Sequence, residues 1–368
     1  MNSSKTGFNI AVIRGDGIGP EVMDVCMNVL QAVMKGIPEL RLEFVELSSG
    51  AGKYRDTGVD ISPEDWTSIH AADAILLGAT GLPDVRYANG TEVDTPITLR
   101  ERLGLTASIR PAQSLPGVPT VLTGRNGQNI DFIVVRETTE GLFAGRNEGK
   151  MEGNERATNV MAITRAASER LFDLTFELAR NRKAKGYPGR VTLVDKANVI
   201  SCLAFLRKIF YEKAAQYPDI EANHLHVDAA SLLMIRDPHR FDVVVTENQY
   251  GDILSEIGAA IVGGLGIAPS GDVSREHAVF QPSHGSAPDI TGQGIANPVA
   301  AILSALMMLE WLGERHGTDL CLRAAHVIRE SVKEVLGQGI LTPDLGGSAS
   351  TQDVGVKVTE AVSKRLSS

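Results

Sequence analysis

Cysteine is scarce: Cys26, Cys202 and Cys321 are the only three in 368 residues, far apart and without a C-x-x-C pair. That excludes a disulfide framework and a thiolate zinc site, and fits a reducing cytoplasm. Long apolar runs are missing too. The longest, Pro298 to Leu309, is interrupted by Ser304 and is too short to span a bilayer. The opening residues MNSSKTGFN lack a charged segment followed by an apolar one, so no secretion signal is expected. There is no basic excess: the net charge is −9, and no basic run is interleaved with aromatics, which argues against nucleic acid as a partner. An anionic substrate would need a local arginine cluster to overcome that field. Internal repeats and low-complexity tracts are absent as well. What is present is an ordinary globular composition, 43% hydrophobic and 22% charged, at a length that accommodates two domains.

Strand-like and helix-like stretches alternate along the chain, which predicts a mixed or parallel sheet covered by helices. A strand at Phe8–Ile13 leads through RGDGIGPE into an amphipathic helix from about Pro20 to Met34. Gly15, Gly17 and Gly19 do not satisfy G-x-G-x-x-G in either register, because Pro20 and Val22 stand where small residues are needed. An ordinary Rossmann site is therefore rejected; a glycine-rich loop under a ligand and a plain tight turn both remain open. Further strands are expected at Arg41–Ser48, Ala74–Ala79, Phe132–Val135 and Arg190–Val199, with helices near Pro63–His70, Thr95–Leu103 and Ile163–Lys185. Residues 138–160 are rich in Gly and charge, and read either as a loop or as an extended arm that pairs with a partner. In HLHVDAASLLMI, Asp228 opens a helix expected to pack Leu232, Leu233 and Ile235, while the pair His224 and His226 lacks a third ligand for a metal. The helix from Pro298 to Leu312 is apolar on nearly all sides, which implies central burial or an oligomer interface.

The stretch Phe241–Glu256 carries the most chemistry. A strand feeds a short polar loop and then a helix on which Asp252 and Glu256, four residues apart, share one face. Two stacked carboxylates are either a solvated polar face or ligands for a hard cation such as Mg²⁺ or Mn²⁺. The loop His284–Asp289 is built of small residues, so backbone can approach a ligand closely, and Asp289 could accept from a ribose diol while repelling a 2′-phosphate.

Taken together, GDGIGPE (Gly15–Glu21), the trio Arg100, Arg110 and Arg136, VDKANV (Val194–Val199), VDAA (Val227–Ala230), VTENQYGDILSE, HGSAPDI with GIANP (His284–Pro298) and PDLGGSAST (Pro343–Thr351) resemble the metal-dependent β-decarboxylating dehydrogenases. That family includes the 3-isopropylmalate, isocitrate, homoisocitrate, tartrate and D-malate enzymes. The resemblance covers nearly the whole chain, with the motifs in the family's order.

It implies an isopropylmalate-dehydrogenase-like α/β fold, two α/β domains around a central cleft. Residues 1–106 and 263–368 would form the larger domain with the NAD loops, and 107–262 the smaller one with the metal ligands, the dimer interface and an arm at about 138–160. It further implies that Arg100, Arg110 and Arg136 hold the substrate carboxylates, with Ile97 beside the C3 substituent. Asp228, Asp252 and Glu256 would hold Mg²⁺ or Mn²⁺. Lys196 would be the general base, with Lys196 and Asp228 supplied by the neighbouring subunit of a homodimer. His284, Gly285, Ser286, Ala287, Asp289, Ile290 and Asn297 would form the cofactor pocket, and Asp289 with Ile290 points to NAD. Seven residues after Arg136 the family pattern places a proton-donating Tyr; here Phe143 stands, leaving the last proton transfer unassigned, with Tyr250 and Lys196 as candidate substitutes.

The expected reaction is NAD-dependent oxidative decarboxylation of a 3-substituted malate, with 3-isopropylmalate as the nominal substrate. Tartrate, D-malate or another polar 2-hydroxy diacid is the alternative, and a silent ligand-sensing subunit is a third reading from a different class. Around Arg100 the rim formed by Glu92, Asp94 and Thr95 is polar and Ile97 is apolar, so the C3 substituent stays open.

Overall fold

A computed structural model describes residues 5–146 and 148–367, without the side chains of residues 125 and 126. The first four positions of the opening stretch and position 147 of the arm lie outside the described residues. The chain runs β1 (Gly7–Ile13), α1 (Gly19–Gly36), β2 (Arg41–Leu47), α2 (Ala51–Thr57), α3 (Pro63–Ala71), β3 (Ala74–Leu77), α4 (Thr95–Leu103), β4 (Ala107–Gln113) and β5 (Asp131–Glu137). It continues through β6 (Lys150–Glu152), β7 (Arg156–Thr158), α5 (Arg165–Ala184), β8 (Arg190–Asp195), α6 (Ser201–Ala214), β9 (Glu221–His226), α7 (Val227–Arg236), β10 (Val243–Thr246) and α8 (Asn248–Val262). The last part holds β11 (Pro269–Val273), β12 (Ala278–Pro282), α9 (Val299–His316), α10 (Asp319–Gly337) and α11 (Thr351–Ser367).

Ten strands form one mixed sheet in the order β2-β1-β3-β12-β11-β4-β5-β10-β8-β9. Its two wings are parallel, and β4 is antiparallel to both β5 and β11, which is in turn antiparallel to β12. Strands from residues 1–106 and 263–368 make one wing and those from 107–262 the other, so β4 and β11 form the seam. The middle strand of each wing, β3 and β10, is apolar on both faces, as Ala74–Leu77 and Val243–Val245 show, because helices cover the sheet from both sides.

Local signals set the helix ends that matter here. Asp94 caps α4 by accepting from the Ile97 N–H at 2.9 Å, and Gly104 ends it in the left-handed conformation. The apolar helix foreseen at Pro298–Leu312 is α9, and it is central: Val299, Ile302, Leu306, Leu309 and Leu312 are all buried, packed on β11, β12 and α10.

One core expectation fails. On α7 it is Ala230 and Met234 that are buried, whereas Leu232 and Ile235 are 54% and 47% exposed, and Leu233 is only half-buried. Ala230 and Met234 are one turn apart, so they share the face against the sheet and turn Leu232 and Ile235 away from it. Ile253 on α8, which packs against α7, is also exposed. Residues 138–160 are not an unstructured loop throughout, since β6 and β7 pair as a short antiparallel hairpin. Met151 and Val160 there are largely exposed. Among the described residues no helix is long and apolar enough to cross a membrane.

Candidate active site

The three arginines converge because of strand register. On antiparallel β4 and β5, Ser108 faces Arg136 and Arg110 faces Val134, and β11 brings Asp272 opposite Ser108. Arg100, in the last turn of α4, donates from Nε to Asp272 Oδ2 at 2.7 Å, and both side chains are buried. Burial works against the Arg100 charge, but the charge and hydrogen bond of Asp272 outweigh it and keep the guanidinium firmly protonated. Burial likewise opposes the Asp272 charge, and Arg100 still holds that carboxyl below the usual carboxylate range.

Arg136 donates from Nε and a terminal nitrogen to Asn248 Oδ1 at 3.0 and 2.7 Å and pairs with Asp252. Helix α8 can lie this close because residue 251 is Gly: a Cβ there would meet Arg136 Cβ at 2.6 Å. Arg110 donates to Ser255 Oγ at 3.1 Å and stands 3.6 Å from Asp252. Burial first, then the neighbouring Arg100 charge, lowers both, taking Arg136 to about 10. Arg110 and Arg136, crowded out of water beside Arg100, are short of counter-charge, which is the electrostatic signature of a site for an anion.

A cavity of about 260 Å³ opens onto these groups. Ile97, Asp94, Phe143 and Asp252 line it with the arginines, and Gln281 to Gly285 close the far side. Arg136 lies 5.6 Å from the Phe143 ring, so the position where the family pattern has a tyrosine faces the cavity without a hydroxyl. Thr95, read as part of the rim, instead points inward, donating to Asp60 at 3.1 Å.

Glu256 sits one turn beyond Asp252 on the same face of α8, with its carboxyl pushed up by burial first and by the charge of Asp252. Two repelling carboxylates beside a cavity fit a divalent oxygen-liganded cation. Asp228 does not join them. It sits in the first turn of α7 and pairs with Lys196, because the parallel register of β8 on β9 sets Asp195 beside His226 and the following loop beside α7. Hydrogen bonding from Lys196 holds Asp228 low. Neither Lys196 nor Asp228 lines the cavity of its own chain, and the described residues hold no group of three candidate ligands that could bind a metal. Tyr250 packs on the opposite core with Ile200 and Cys202, outside the cavity. His224 bonds Tyr211 at 2.6 Å and takes no part.

In the loop expected to hold the cofactor, His284 and Gly285 line the cavity, and the buried His284 Nε2 has no partner. Beside Gly285 there is open space where a Cβ would stand. An orphaned ring nitrogen next to such a cradle fits a dinucleotide lying along the loop. Burial lowers the His284 pKa, so the ring is neutral near pH 7. Ser286 is buried and structural: its carbonyl accepts from Ile18 N–H at 2.8 Å and its hydroxyl bonds Gly81. Gly17 is obligatory there, since a Cβ would meet the Ser286 carbonyl oxygen at 2.0 Å. Asp289 is exposed, Ala287 and Ile290 are half-buried, and Ala287 takes a left-handed φ of 38°. Asn297 is already engaged, donating to Asp344 at 3.1 Å and accepting from Val299 N–H at 3.0 Å.

Two positioning residues escaped the sequence reading. Asp16 accepts from the N–H groups of Ala51, Gly52 and Gly81 at 2.8, 2.8 and 2.9 Å, tying the glycine loop to the cavity wall. Asp195 is buried against Arg207 and accepts from Ala197 N–H at 2.9 Å, which fixes the loop holding Lys196. Both lie within quoted motifs, GDGIGPE and VDKANV, but their positioning role depends on backbone N–H partners and an arginine that those motifs do not contain.

Three guanidiniums face an acid-bearing helix across a cavity, next to a small-residue loop with an orphaned ring nitrogen, an arrangement suited to a small anionic substrate. The sequence matches the isocitrate/isopropylmalate dehydrogenase family over residues 9–360. The chain is 42% identical over 358 residues to 3-isopropylmalate/3-methylmalate dehydrogenase of Methanocaldococcus jannaschii, covering 97% of this chain and 98% of the relative. It is 38% identical over 357 residues to 3-isopropylmalate dehydrogenase of Lactococcus lactis, covering 96% and 98%. Among solved structures, isocitrate dehydrogenase from Methylococcus capsulatus superposes with a TM-score of 0.85 at 35% identity, covering 97% of this chain and 99% of that one. A β-decarboxylating dehydrogenase from Thermococcus kodakarensis gives 0.80 at 36%, covering 98% and 97%. This chain belongs to the isocitrate/isopropylmalate dehydrogenase family and is a decarboxylating dehydrogenase.

Proposed function

We propose that the protein is a homodimeric, NAD- and Mg²⁺- or Mn²⁺-dependent enzyme that oxidatively decarboxylates a 3-substituted malate, with 3-isopropylmalate as the nominal substrate. The observation that carries this reading is the cavity itself: Arg100, Arg110 and Arg136 open onto it beside Asp252, with Ile97 on the wall.

Arg110 and Arg136 grip a carboxylate of the substrate, and Arg100, pinned by Asp272, fixes the angle of approach. Asp252 and Glu256, with the partner subunit's Asp228, would hold the divalent cation. A cation there would supply acidification of the C2 hydroxyl and stabilisation of negative charge on its oxygen, and NAD would supply the hydride acceptor. Lys196 from one chain takes the hydroxyl proton in its partner's cavity; it lies outside its own. The exposed Leu232, Ile235 and Ile253 support this, since they lie on α7, whose first turn pairs with that lysine through Asp228, and on α8 packed against it, and are apolar side chains a second copy would cover. The two wings of the sheet would be the larger and smaller domains, closing the cleft over substrate. His284, Gly285, Asp289 and Ile290 would hold NAD, with Asp289 on the ribose.

Phe143 favours a second reading, in which a polar diacid such as tartrate or D-malate is oxidised with incomplete decarboxylation. A silent sensing subunit would have no need of the intact Lys196, Asp228, Asp252 and Glu256. Substrate titration and NADH formation for wild type and Lys196→Met test the assignment. Binding preserved within a few fold, with turnover falling about 10²- to 10⁴-fold, is expected for loss of a general base. Binding without turnover in both proteins would overturn it.

A further inference from the structure

Strand register places two acids side by side behind the arginines of the cavity. Strands β5 and β10 are parallel with Arg136 beside Thr246, so one residue further along Glu137 stands beside Glu247. Both are buried, at 4% and 1% exposed. Glu247 caps α8, accepting from the N–H groups of Gln249 and Tyr250 at 3.0 and 2.6 Å. Glu137 holds the turn after β5, accepting from Thr139 N–H and Oγ1 at 2.8 and 2.6 Å and from Glu140 N–H at 2.7 Å. The two elements touch, because residue 141 is a glycine with a left-handed φ of 77° and a Cβ there would stand 2.9 Å from Glu247 Oε2. One element leads to Phe143; the other carries Asp252 and Glu256.

The charges around the pair do not balance it. Arg136 acts on Glu247 but is also paired with Asp252. On β4, Ala107 stands opposite Glu137, and the nearby Glu140 adds a like charge. On the other side the end of β8 brings Asp195, whose partner is Arg207, and on α8 the Tyr250 hydroxyl is kept neutral by burial. Burial, joined by the Glu137 charge, raises the Glu247 pKa against its two N–H donors and Arg136, and burial raises Glu137 against its own donors. Two carboxyls so placed do not both ionise readily.

We infer that Glu137 and Glu247 are positioning residues that act through Arg136: the pair retains one proton, so that a single negative charge, not two, stands behind the guanidinium that meets the substrate. This rests on Arg136 holding a substrate carboxylate, as proposed above, and adds the groups that set its field. With both acids ionised, Arg136 would be further neutralised and would grip an anion less. Coupling of this kind is reciprocal: an anion arriving on Arg136 offsets the cation that favours ionised Glu247, and so draws a proton onto the pair.

The test uses the intact protein with saturating Mn²⁺, and 3-isopropylmalate and D-malate as ligands. Wild type, Glu247→Gln and Glu137→Gln are compared; glutamine keeps an acceptor oxygen for the backbone N–H groups, so the helix cap and the turn survive. Calorimetric Kd is measured between about pH 5.5 and 8.5, in buffers of different ionisation enthalpy so that protons taken up on binding are counted. The ratio of wild-type Kd to variant Kd is expected to rise with pH by about threefold or more, and proton uptake is expected to be smaller in both variants. Uptake by Asp94 or Glu256 is common to all three proteins and cancels. A flat ratio with unchanged uptake in both variants would overturn the inference. Urea midpoints without ligand are the second readout. A raised carboxyl pKa contributes stability that is complete below the unfolded value of about 4.3 and is lost as pH rises through the folded value, so the wild-type midpoint should fall more steeply with pH than either variant's. Equal slopes would overturn the retained proton. If neither diacid binds wild type at any pH, the proposed function fails, and the urea slopes alone decide whether the pair keeps its proton.

Discussion

The buried pair of Arg100 and Asp272 offers the sharpest energetic test of how the site is built. Arg100 is 6% and Asp272 1% exposed, with Nε to Oδ2 at 2.7 Å. Replacing Asp272 by Asn keeps the shape and one acceptor oxygen but leaves a guanidinium buried without its counter-charge. Losing one partner of such a pair costs about 3–5 kcal/mol, because the survivor's desolvation is no longer offset. With a urea slope of about 3 kcal/mol/M, the unfolding midpoint should fall by about 1 M or more. The exposed pair Arg180–Asp219, 2.6 Å long with both side chains over 40% exposed, is the control: Asp219→Asn should move the midpoint little. The pH dependence has a defined sign. The Asp272 carboxyl is held below its unfolded value, so its contribution is complete above pH about 4 and is lost as pH falls through the lowered folded value. The gap between wild type and Asp272→Asn should close in that acid window. A midpoint shift for Asp272→Asn no larger than that for Asp219→Asn would refute the reasoning, and so would a gap that persists in acid. Replacing both Arg100 and Asp272 by Leu should recover most of the stability while abolishing substrate binding, which separates the fold from the function.

Three other outcomes follow from the same geometry. Mixing Lys196→Met and Arg136→Gln homodimers should restore about one quarter of wild-type activity, because half the reassorted dimers carry one intact site of two; no recovery would place Lys196 in its own chain's cavity. Asp16→Ala leaves one buried and two partly buried N–H groups without their acceptor, at up to about 1–3 kcal/mol for the buried one, and should raise KM for NAD more than KM for the diacid if the loop around Gly81 adjoins the proposed cofactor site. His284 has a pKa lowered by burial, so its neutral ring stabilises the fold fully above pH about 6.5 and that contribution is lost as pH falls toward the lowered value. In His284→Gln, thermal melts between pH 5 and 7 should show a flatter slope than wild type.

How much of this was readable in the sequence depends on whether the cause was local. Helix α4 lies at Thr95–Leu103 as read, because Asp94, Pro96 and Gly104 punctuate it within a dozen residues. The pairing of Asp252 with Glu256 follows from helix geometry alone. By contrast, the insertion of β12 and β11 between β3 and β4 is a matter of non-local pairing that no window of sequence contains. Asp272 reaches Arg100 across 172 positions, and only the antiparallel seam brings them together. The error on α7 has a similar origin: an apolar run such as SLLMI shows that a helix has a greasy face without saying which of its faces meets the sheet. Asn297 and Ser286 sit in the loops expected to hold the cofactor, yet their side chains are bonded within the protein, something a motif cannot display.

The most direct measurement is the stoichiometry of NADH to CO₂ with Mn²⁺ and 3-isopropylmalate, followed in the same reaction. One CO₂ released per NADH is the predicted result, and it would mean that a group other than residue 143 completes the proton transfer. NADH without CO₂, or no NADH from any 2-hydroxy diacid, would contradict oxidative decarboxylation at this site.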